Sequence, residues 1–241
     1  MELYEVGGCI RDEIMGVKSK DIDFSVVLDP SDLDGRMTPF NIMSLRLEEM
    51  GFDIKQEKPE YLTIRAIFPK GHKYKGGADF VLARKEADYT DGRRPDTVIP
   101  GTLQDDLARR DFTMNAIAKA ADGTLIDPFG GQEDIRNGII RCVGNPFDRI
   151  LKEDPLRGLR AMRFSITKAF EIDQQILGVL KSRHFAEQIV KTTKAERVRE
   201  ELEKMFAANT LDTVMLLTEL GLVGTLFNNQ TGIRLMPTMK G

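Results

Sequence analysis

The amino-acid sequence predicts an α+β protein, in which a mixed sheet with flanking helices comes first and an all-helical domain follows. Up to about residue 143, short segments rich in β-branched and aromatic residues alternate with turns and with a few helical segments. From Pro146 onward, apolar residues recur at the spacing of helices. This change in character predicts two domains, residues 1–143 and 144–241.

The elements of the first domain follow from periodicity and from the residues that end each segment. A helix over Cys9–Met15 ends at Gly16, and a second helix over Phe40–Met50 ends at Gly51. Segments of alternating or β-branched residues are predicted strands, and they are Leu3–Val6, Asp21–Val27, 52–57, 61–68 and 78–86. Together these elements predict a small sheet with helices beside it.

The later segments vary more in character. Residues 89–101 contain turn residues and no period, which predicts a mobile loop, whereas 103–120 has helical periodicity. Residues 124–143 predict a strand, a turn, a short helix and a strand.

In the second domain, Thr193–Glu196 matches a capping box at the start of a helix. Helices are predicted within 146–154, 155–164, 173–182, 194–208 and 211–220, and the fourth has an apolar stripe of Val198, Leu202, Met205 and Phe206.

The composition excludes several classes of protein. Cys9 and Cys142 are too few for a disulfide framework or a cysteine zinc site, and His72 and His184 are too isolated for a histidine metal site. The sequence shows no apolar run of membrane-spanning length and no signal peptide, so we expect a cytoplasmic enzyme with no membrane association. The net charge of −3 divides into −6 for residues 1–145 (20 basic, 26 acidic) and +3 for 146–241 (15 basic, 12 acidic), which suits a nucleic-acid partner.

A glycine pair and two aspartates give the first indication of chemistry. Gly7 and Gly8 open the first helix, where backbone N–H groups can approach a phosphate closely. Asp21 and Asp23 are two residues apart on a predicted strand, so both carboxylates point to one face, where they repel unless a cation lies between them. This combination predicts magnesium-dependent chemistry on a nucleoside triphosphate. The alternative is a glycine turn followed by two solvated aspartates.

Two further acidic positions extend this candidate site. Asp79 shares a strand face with Val81 and Ala83 and is our candidate for a third metal-site carboxylate; the alternative is a polar residue that ends a hairpin. Glu86 is a weaker contender for the same role. Asp111 and Asn115, four residues apart, would lie on one face of a helix.

Asp154 and Arg157 form a second constellation, at the start of a helix. Cytosine and adenine both present an amine donor next to a ring-nitrogen acceptor on their Watson–Crick edges, whereas uracil and guanine present a carbonyl next to a ring N–H. An aspartate accepts from the amine and an arginine donates to the ring nitrogen, so this pair would select C and A. A mismatched base would cost on the order of 1–3 kcal/mol. The alternative is an ordinary helix cap and a surface salt bridge.

Several ordered motifs now form a recognisable pattern. The chain resembles the class II tRNA nucleotidyltransferases, or CCA-adding enzymes, and the related bacterial poly(A) polymerases. The motifs extend over roughly residues 4–206 in the order of the family, and they are VGGCIRD with DID, DLARRDFTMNAIA (Arg109, Arg110, Asp111, Thr113, Asn115 and Ala116), DPFGG, EDPLRGLRAMRF and AERVREELEKM. Five motifs in order make the resemblance specific.

The resemblance implies a polymerase-beta-like nucleotidyltransferase palm followed by a helical neck. It implies that Asp21 and Asp23 hold Mg²⁺ in a two-metal site. The nucleotide-binding residues that it implies are Gly7, Gly8, Arg11 and Asp12 at the triphosphate, Asp111 and Asn115 near the ribose, Glu153, Asp154 and Arg157 at the base, with Arg110, Arg160 and Arg163 completing the set. The loop before residue 103 would correspond to a flexible region that is associated with switching from C to A.

The resemblance also implies a function, with CTP and ATP as substrates and a tRNA 3′ end as acceptor. Family members continue into body and tail domains that grip tRNA, whereas this sequence stops at Gly241. The chain is then a minimal enzyme, a fragment, or a protein whose RNA is smaller or is held by a homo-oligomer or a partner. The alternatives are a CC-adding, A-adding or poly(A)-adding enzyme, an enzyme that modifies another acceptor, and a catalytically silent RNA- or nucleotide-binding module. A GRRF-type motif typical of poly(A) polymerases is missing after the DxD strand.

Overall fold

The computed structural model describes residues 1–19, 21–33, 35–87, 97–227 and 233. It divides into two compact units, Met1–Arg136 and Asn137–Gly241, a division that lies somewhat before the boundary at 143/144 expected from the sequence. The α+β class is confirmed: the first unit contains a mixed sheet with flanking helices, and the second is mainly helical. Within the described residues, no helix is long and apolar enough to cross a bilayer.

Seven strands form the sheet of the first unit, in the order β3-β4-β5-β2-β1-β8-β9. Their bounds are β1 Glu2–Val6, β2 Asp23–Val27, β3 Asp53–Lys58, β4 Thr63–Ile67, β5 Gly77–Leu82, β8 Ala118–Lys119 and β9 Leu125–Ile126. The pair β2–β5 is parallel and the other pairs are antiparallel, so the sheet is mixed as predicted. The parallel pair is important for the site because it aligns the starts of β2 and β5.

The helices of the first unit are α1 Gly8–Ile14, α2 Pro39–Glu49, α3 Leu103–Ala108 and α4 Gly131–Asn137. Alternation along β2 directs Phe24 and Val26 into an apolar core, where α2 contributes Met43 and Leu47. The rings of Phe24 and Phe80 stack with centroids 5.0 Å apart. Because successive side chains of a strand point to opposite faces, Asp23 lies on the other side of the sheet from this core.

The single strand predicted over 78–86 is instead β5 and a separate strand, β6 Arg84–Ala87, which belongs to another sheet. Two later predictions about the first unit are also wrong in part. The predicted helix over 103–120 ends at Ala108, and a 3₁₀ turn over Thr113–Asn115 precedes β8. The predicted loop over 89–101 contains a strand, β7 Thr97–Pro100, which pairs with β6 Arg84–Ala87; residues 88–96 lie outside the described part. In both places long-range pairing or burial overrides the local pattern, which is a general limit of local propensity.

In its described residues, the second unit contains a π-helical segment, Phe147–Glu153, and six α-helices. These are α5 Leu156–Lys168, α6 Gln174–Leu180, α7 Arg183–Thr192, α8 Ala195–Ala208, α9 Thr210–Glu219 and α10 Val223–Leu226. The strand predicted at the end of 124–143 is β10 Ile139–Ile140, and its short parallel partner, β11 Glu171–Ile172, was not predicted. The helices pack closely: Gly158 on α5 lies against Phe185 on α7, and a methyl group there would overlap that ring.

The predicted capping box at Thr193–Glu196 is wrong. Helix α8 begins one residue later than the box requires, with Lys194 at its N-cap position and no side-chain cap. Thr193 instead ends α7, and its hydroxyl is buried with no hydrogen-bond partner among the described residues. The predicted apolar stripe of α8 is confirmed at Val198, Leu202 and Met205, which are buried, whereas Phe206 is half-buried.

Candidate functional site

Asp23 and Asp79 lie side by side at the starts of two parallel strands. They are direct partners in the register of β2 and β5, so both carboxylates point to the same side of the sheet. Asp21 lies outside the strand, which begins at Asp23, so the expected same-strand arrangement of Asp21 and Asp23 is wrong. Its charge nevertheless acts on Asp23. The carboxylate of Asp23 is therefore subject to the negative charges of both Asp79 and Asp21.

The electrostatics of Asp23 fit a cation. Burial raises the pKa of Asp23, and the charges of Asp79 and Asp21 raise it further, while Arg110 opposes them. A buried carboxylate that also faces like charges is stabilised by a nearby cation, and carboxylate oxygens are the ligands that Mg²⁺ prefers. Within the described ranges, His, Cys, Asp and Glu side chains form no group of three or more arranged to hold a metal ion. The donor chemistry fits Mg²⁺, although the side chains are not drawn together around one point.

The glycine turn before α1 leaves room for an arginine. Gly7 has φ of +78°, a conformation that favours glycine. A Cβ atom at Gly7 would lie 2.8 Å from Nη1 of Arg110 and 4.0 Å from Oδ2 of Asp23. At Gly8, a Cβ atom would lie 3.4 Å from Nη2 of Arg11. The glycine pair therefore lets the guanidinium groups of Arg110 and Arg11 come close to the backbone at the start of α1, an arrangement that suits a phosphate group.

A chain of hydrogen bonds links α1 to the 3₁₀ turn. Nη2 of Arg11 donates to Oδ1 of Asp12 at 2.8 Å, and Nη1 of Arg11 donates to Oδ1 of Asn115 at 2.7 Å. Nδ2 of Asn115 donates to Oδ1 of Asp111 at 2.9 Å. Asp111 and Asn115 are thus brought together as predicted, but by a turn rather than by one face of a helix.

Asp106 is a central residue of the site that the sequence analysis missed. Its buried carboxylate accepts hydrogen bonds from Arg109 and Arg110, the latter at 3.0 Å. Burial disfavours the charged form, but the guanidinium groups of Arg110 and Arg109 outweigh it and lower the pKa of Asp106. Asp106 lies on α3, three and four residues before Arg109 and Arg110, which follow the end of that helix, and this spacing could have indicated its role. Asp106 fixes the arginine that lies over Gly7.

The DPFGG segment and the helix that follows it pack against the 3₁₀ turn of the site. Asp127 accepts hydrogen bonds from the backbone N–H groups of Gly131 at 2.7 Å and Gln132 at 2.8 Å, the first residues of α4. Thr113 donates to Asp134 on α4 at 2.6 Å. A Cβ atom at Gly131 would overlap the carbonyl group of Thr113. Helix α4 is therefore pressed directly against the turn that carries Asn115.

In the second unit, the predicted base-reading residues are held by other partners. Nη1 of Arg157 donates to Glu153 at 2.6 Å and to the backbone oxygen of Arg149 at 3.2 Å. Asp154 accepts from the backbone N–H of Leu156 and from Nη2 of Arg197, each at 3.0 Å. Glu153 and Arg197 therefore fix the orientations of Arg157 and Asp154.

Arg160 and Arg163, also predicted to bind nucleotide, face α8. Both form ion pairs with the buried carboxylate of Glu201, and that of Arg163 includes a hydrogen bond from its Nε atom. These contacts join α5 to α8. Arg197 and Glu201 were not singled out from the sequence, although both lie in the AERVREELEKM motif. The motif therefore supplies Glu201 as the partner of Arg160 and Arg163, and Arg197 as the partner of Asp154.

Comparison with known sequences gives consistent matches. The poly A polymerase head domain matches residues 3–141. A multifunctional CCA protein of Nitrosococcus oceani is 36% identical over 187 residues, covering 76% of this chain and 39% of that protein. A CCA-adding enzyme of Limosilactobacillus reuteri is 37% identical over 206 residues, covering 85% of this chain and 45% of that enzyme.

Solved structures agree with these matches. The CCA-adding enzyme of Bacillus stearothermophilus in complex with CTP superposes with a TM-score of 0.70 at 28% identity, covering 93% of this chain and 49% of that one. The Thermotoga maritima CCA-adding enzyme complexed with tRNA-CCA gives a TM-score of 0.67 at 26% identity, covering 94% and 48%. The chain spans less than half the length of each of these relatives.

Proposed function

The chain belongs to the family of the poly A polymerase head domain, and from this premise we propose that it is a template-independent RNA nucleotidyltransferase. It adds CMP and AMP from CTP and ATP to the 3′ end of tRNA, completing CCA and releasing pyrophosphate. Residues 1–143 are its catalytic palm, and residues 144–241 are the neck that recognises the base. The observation that carries the proposal is the register of Asp23 with Asp79, beside the Gly7 turn that Arg110 covers.

Each palm residue has a role in this proposal. Asp21 and Asp23 hold Mg²⁺, with Asp79 as the third carboxylate. When bound, Mg²⁺ lowers the pKa of the RNA 3′-hydroxyl and neutralises charge on the departing pyrophosphate. The triphosphate is bound by the residues around the glycine turn, and the ribose lies near the turn at 113–115; the residues assigned to these tasks are Gly7, Gly8, Arg11, Asp12, Arg110, Asp111 and Asn115.

Base selection belongs to the second unit. Asp154 accepts from the amine of C or A, and Arg157 donates to the adjacent ring nitrogen. A carboxylate has about four acceptor positions, so Asp154 can accept from a base while it keeps its contacts with Leu156 and Arg197. Glu153 orients Arg157. Arg160 and Arg163, which the sequence predicts to bind nucleotide, contribute by holding α5 against Glu201.

Incorporation of labelled nucleotides tests the proposal. The full chain is incubated with Mg²⁺ and tRNA transcripts that end before CCA, after C and after CC, with CTP or ATP alone and with both together. Stepwise addition of C, C and A that then stops supports the proposal. The Asp23→Asn variant, which should still bind RNA, is the matched control and should incorporate nothing.

Other outcomes distinguish the sister activities. Addition of only C, only A or a long tract of A would identify a CC-adding, A-adding or poly(A)-adding enzyme, all of which use the same base-reading pair. RNA binding without incorporation on any transcript would contradict the enzyme assignment. A cytoplasmic location and any homo-oligomer that helps to hold the RNA stay predictions from the sequence.

A further inference from the structure

Arg65 lies directly beside the carboxylates of the palm. It is the antiparallel partner of Asp79 in the register of β4 and β5, so its side chain lies on the same side of the sheet as those of Asp79 and Asp23. Nη1 of Arg65 donates to both carboxylate oxygens of Asp79, at 3.0 Å each. A single guanidinium group therefore spans the carboxylate that we assign as the third of the metal site.

The ion pair between Arg65 and Asp79 follows from the register of the sheet, yet both side chains are accessible to solvent. A Cβ atom at Gly77 would lie 3.8 Å from Nε and 3.9 Å from Nη2 of Arg65, so the guanidinium group lies alongside β5 at ordinary contact distance. The side chains of Arg65 and Asp79 are 50% and 36% exposed, so Arg65 can turn into solvent without leaving a buried charge unpaired. The charge of Arg65 also acts on Asp23.

We propose that Arg65 is an internal counter-ion, which occupies Asp79 in the metal-free protein and is displaced when a divalent cation binds between Asp23 and Asp79. The inference rests on the function proposed above. Mg²⁺ binds carboxylate oxygens at about 2.0–2.1 Å, and a guanidinium group 3.0 Å from the same oxygens would repel it strongly. Arg65 and the cation therefore compete for one carboxylate, and Arg65 sets the affinity for metal.

Titration of the full chain with Mn²⁺, followed by the electron paramagnetic resonance signal of free Mn²⁺, tests this inference. We expect Arg65→Gln to bind Mn²⁺ about two- to fivefold tighter than the wild type, the range of an exposed ion pair. Arg65→Lys, which keeps the charge with a smaller donor, should give an intermediate affinity. Arg46→Gln is the matched control, because Arg46 pairs with Asp32 and Glu49 on the same unit and should leave Mn²⁺ affinity unchanged.

A double-mutant comparison shows whether Arg65 changes the affinity for metal through Asp79. In an Asp79→Asn background, Arg65→Gln should no longer tighten Mn²⁺ binding, because the carboxylate for which both compete is gone. Without metal, Arg65→Gln should lower the thermal unfolding midpoint more in the wild-type background than in Asp79→Asn. Wild-type Mn²⁺ binding that Arg65→Gln leaves unchanged or weakens would overturn this inference alone. Wild-type protein that binds no Mn²⁺ would overturn the proposed metal site as well.

Discussion

Asp23 is a partly buried acid that is subject to the negative charges of two other aspartates, and this unfavourable position has a measurable consequence. Burial first, and then Asp79 and Asp21, raise the pKa of Asp23 above the value near 3.9 that is typical of an unfolded chain. Between these two pKa values, the folded protein retains a proton that the unfolded chain has already lost. The contribution of Asp23 to stability therefore falls as the pH rises through that interval, and the full cost remains at higher pH.

We therefore predict that Asp23→Asn stabilises the metal-free protein at neutral pH, because asparagine carries no charge to repel. The difference from the wild type should shrink as the pH falls through the interval above pH 3.9. Thermal unfolding in EDTA, followed by circular dichroism at several pH values, measures it. Added Mg²⁺ should stabilise the wild type and not the variant. A variant that is less stable than the wild type at neutral pH in EDTA would contradict the electrostatic account of Asp23.

A second residue-scale prediction concerns Arg197, which holds Asp154 from α8. We expect Arg197→Ala to reduce the preference for CTP over UTP by up to about fivefold, the range of a partly exposed ion pair. Asp154 would then accept from the base without a fixed orientation. The measurement is kcat/KM for each nucleotide on a tRNA transcript that lacks CCA.

The control for Arg197 is Arg183→Ala on α7, since Arg183 is exposed and pairs only locally with Glu187. This variant should keep the wild-type preference. An Arg197→Ala enzyme with equal losses for CTP and UTP would mean that Arg197 supports the fold of the unit and not the orientation of Asp154.

At the scale of elements, the packing of α4 against the 3₁₀ turn requires a glycine at position 131. A Cβ atom at Gly131 would lie 2.9 Å from Cγ1 of Ile117 and would overlap the carbonyl group of Thr113. We predict that Gly131→Ala destabilises the protein by about 1–3 kcal/mol, the cost of overpacking. It should also weaken nucleotide binding, because the turn that α4 contacts carries Asn115.

Gly178→Ala provides the opposite control. Gly178 lies inside α6 with nothing within 4 Å of its added Cβ atom, so alanine should stabilise the helix by about 0.5–1 kcal/mol. Chemical denaturation of both variants, together with CTP titration, makes the comparison. Equal stability of Gly131→Ala and the wild type would show that α4 can move away from the turn without cost.

The elements that the sequence predicted correctly are those whose pattern is local. Residues 21–27 are rich in β-branched and aromatic residues, and Gly51 with φ of +84° follows the end of α2, so strand and helix could both be identified. Strand β7 could not be predicted, because Thr97–Pro100 is a strand only through its pairing with β6. Thr193 matched a capping box by spacing, yet α8 begins one residue too late to use it.

The same distinction applies to the candidate site. The face of a strand indicated Asp79, because that argument needs only the local period of a strand. Asp111 and Asn115 do lie together, but through a 3₁₀ turn and not through the helical spacing that predicted it. Arg65 and Arg197 meet their aspartates across strands or helices, and spacing in the sequence carries no information about such partners. The resemblance to a family supplied the order of the motifs, but it did not show which side chains hold one another.

At the scale of the whole molecule, the distribution of net charge along the chain determines how many phosphates of an RNA it could contact. The net charge is −3, and the excess of basic residues is confined to residues 146–241, where it is +3. Affinity for a long duplex depends on several cationic contacts with phosphates. For the function proposed above, this charge distribution therefore favours contacts limited to the 3′ end of the RNA.

We therefore predict that a minihelix containing only an acceptor stem ending in CC is extended by A almost as efficiently as the corresponding whole tRNA. The two values of kcat/KM should differ by less than about tenfold, equivalent to about 1.4 kcal/mol. Raising the salt concentration should lower both values in parallel, because both substrates would share the same few phosphate contacts. A strong preference for whole tRNA with a steeper salt dependence would instead show that this chain itself grips RNA beyond the acceptor stem.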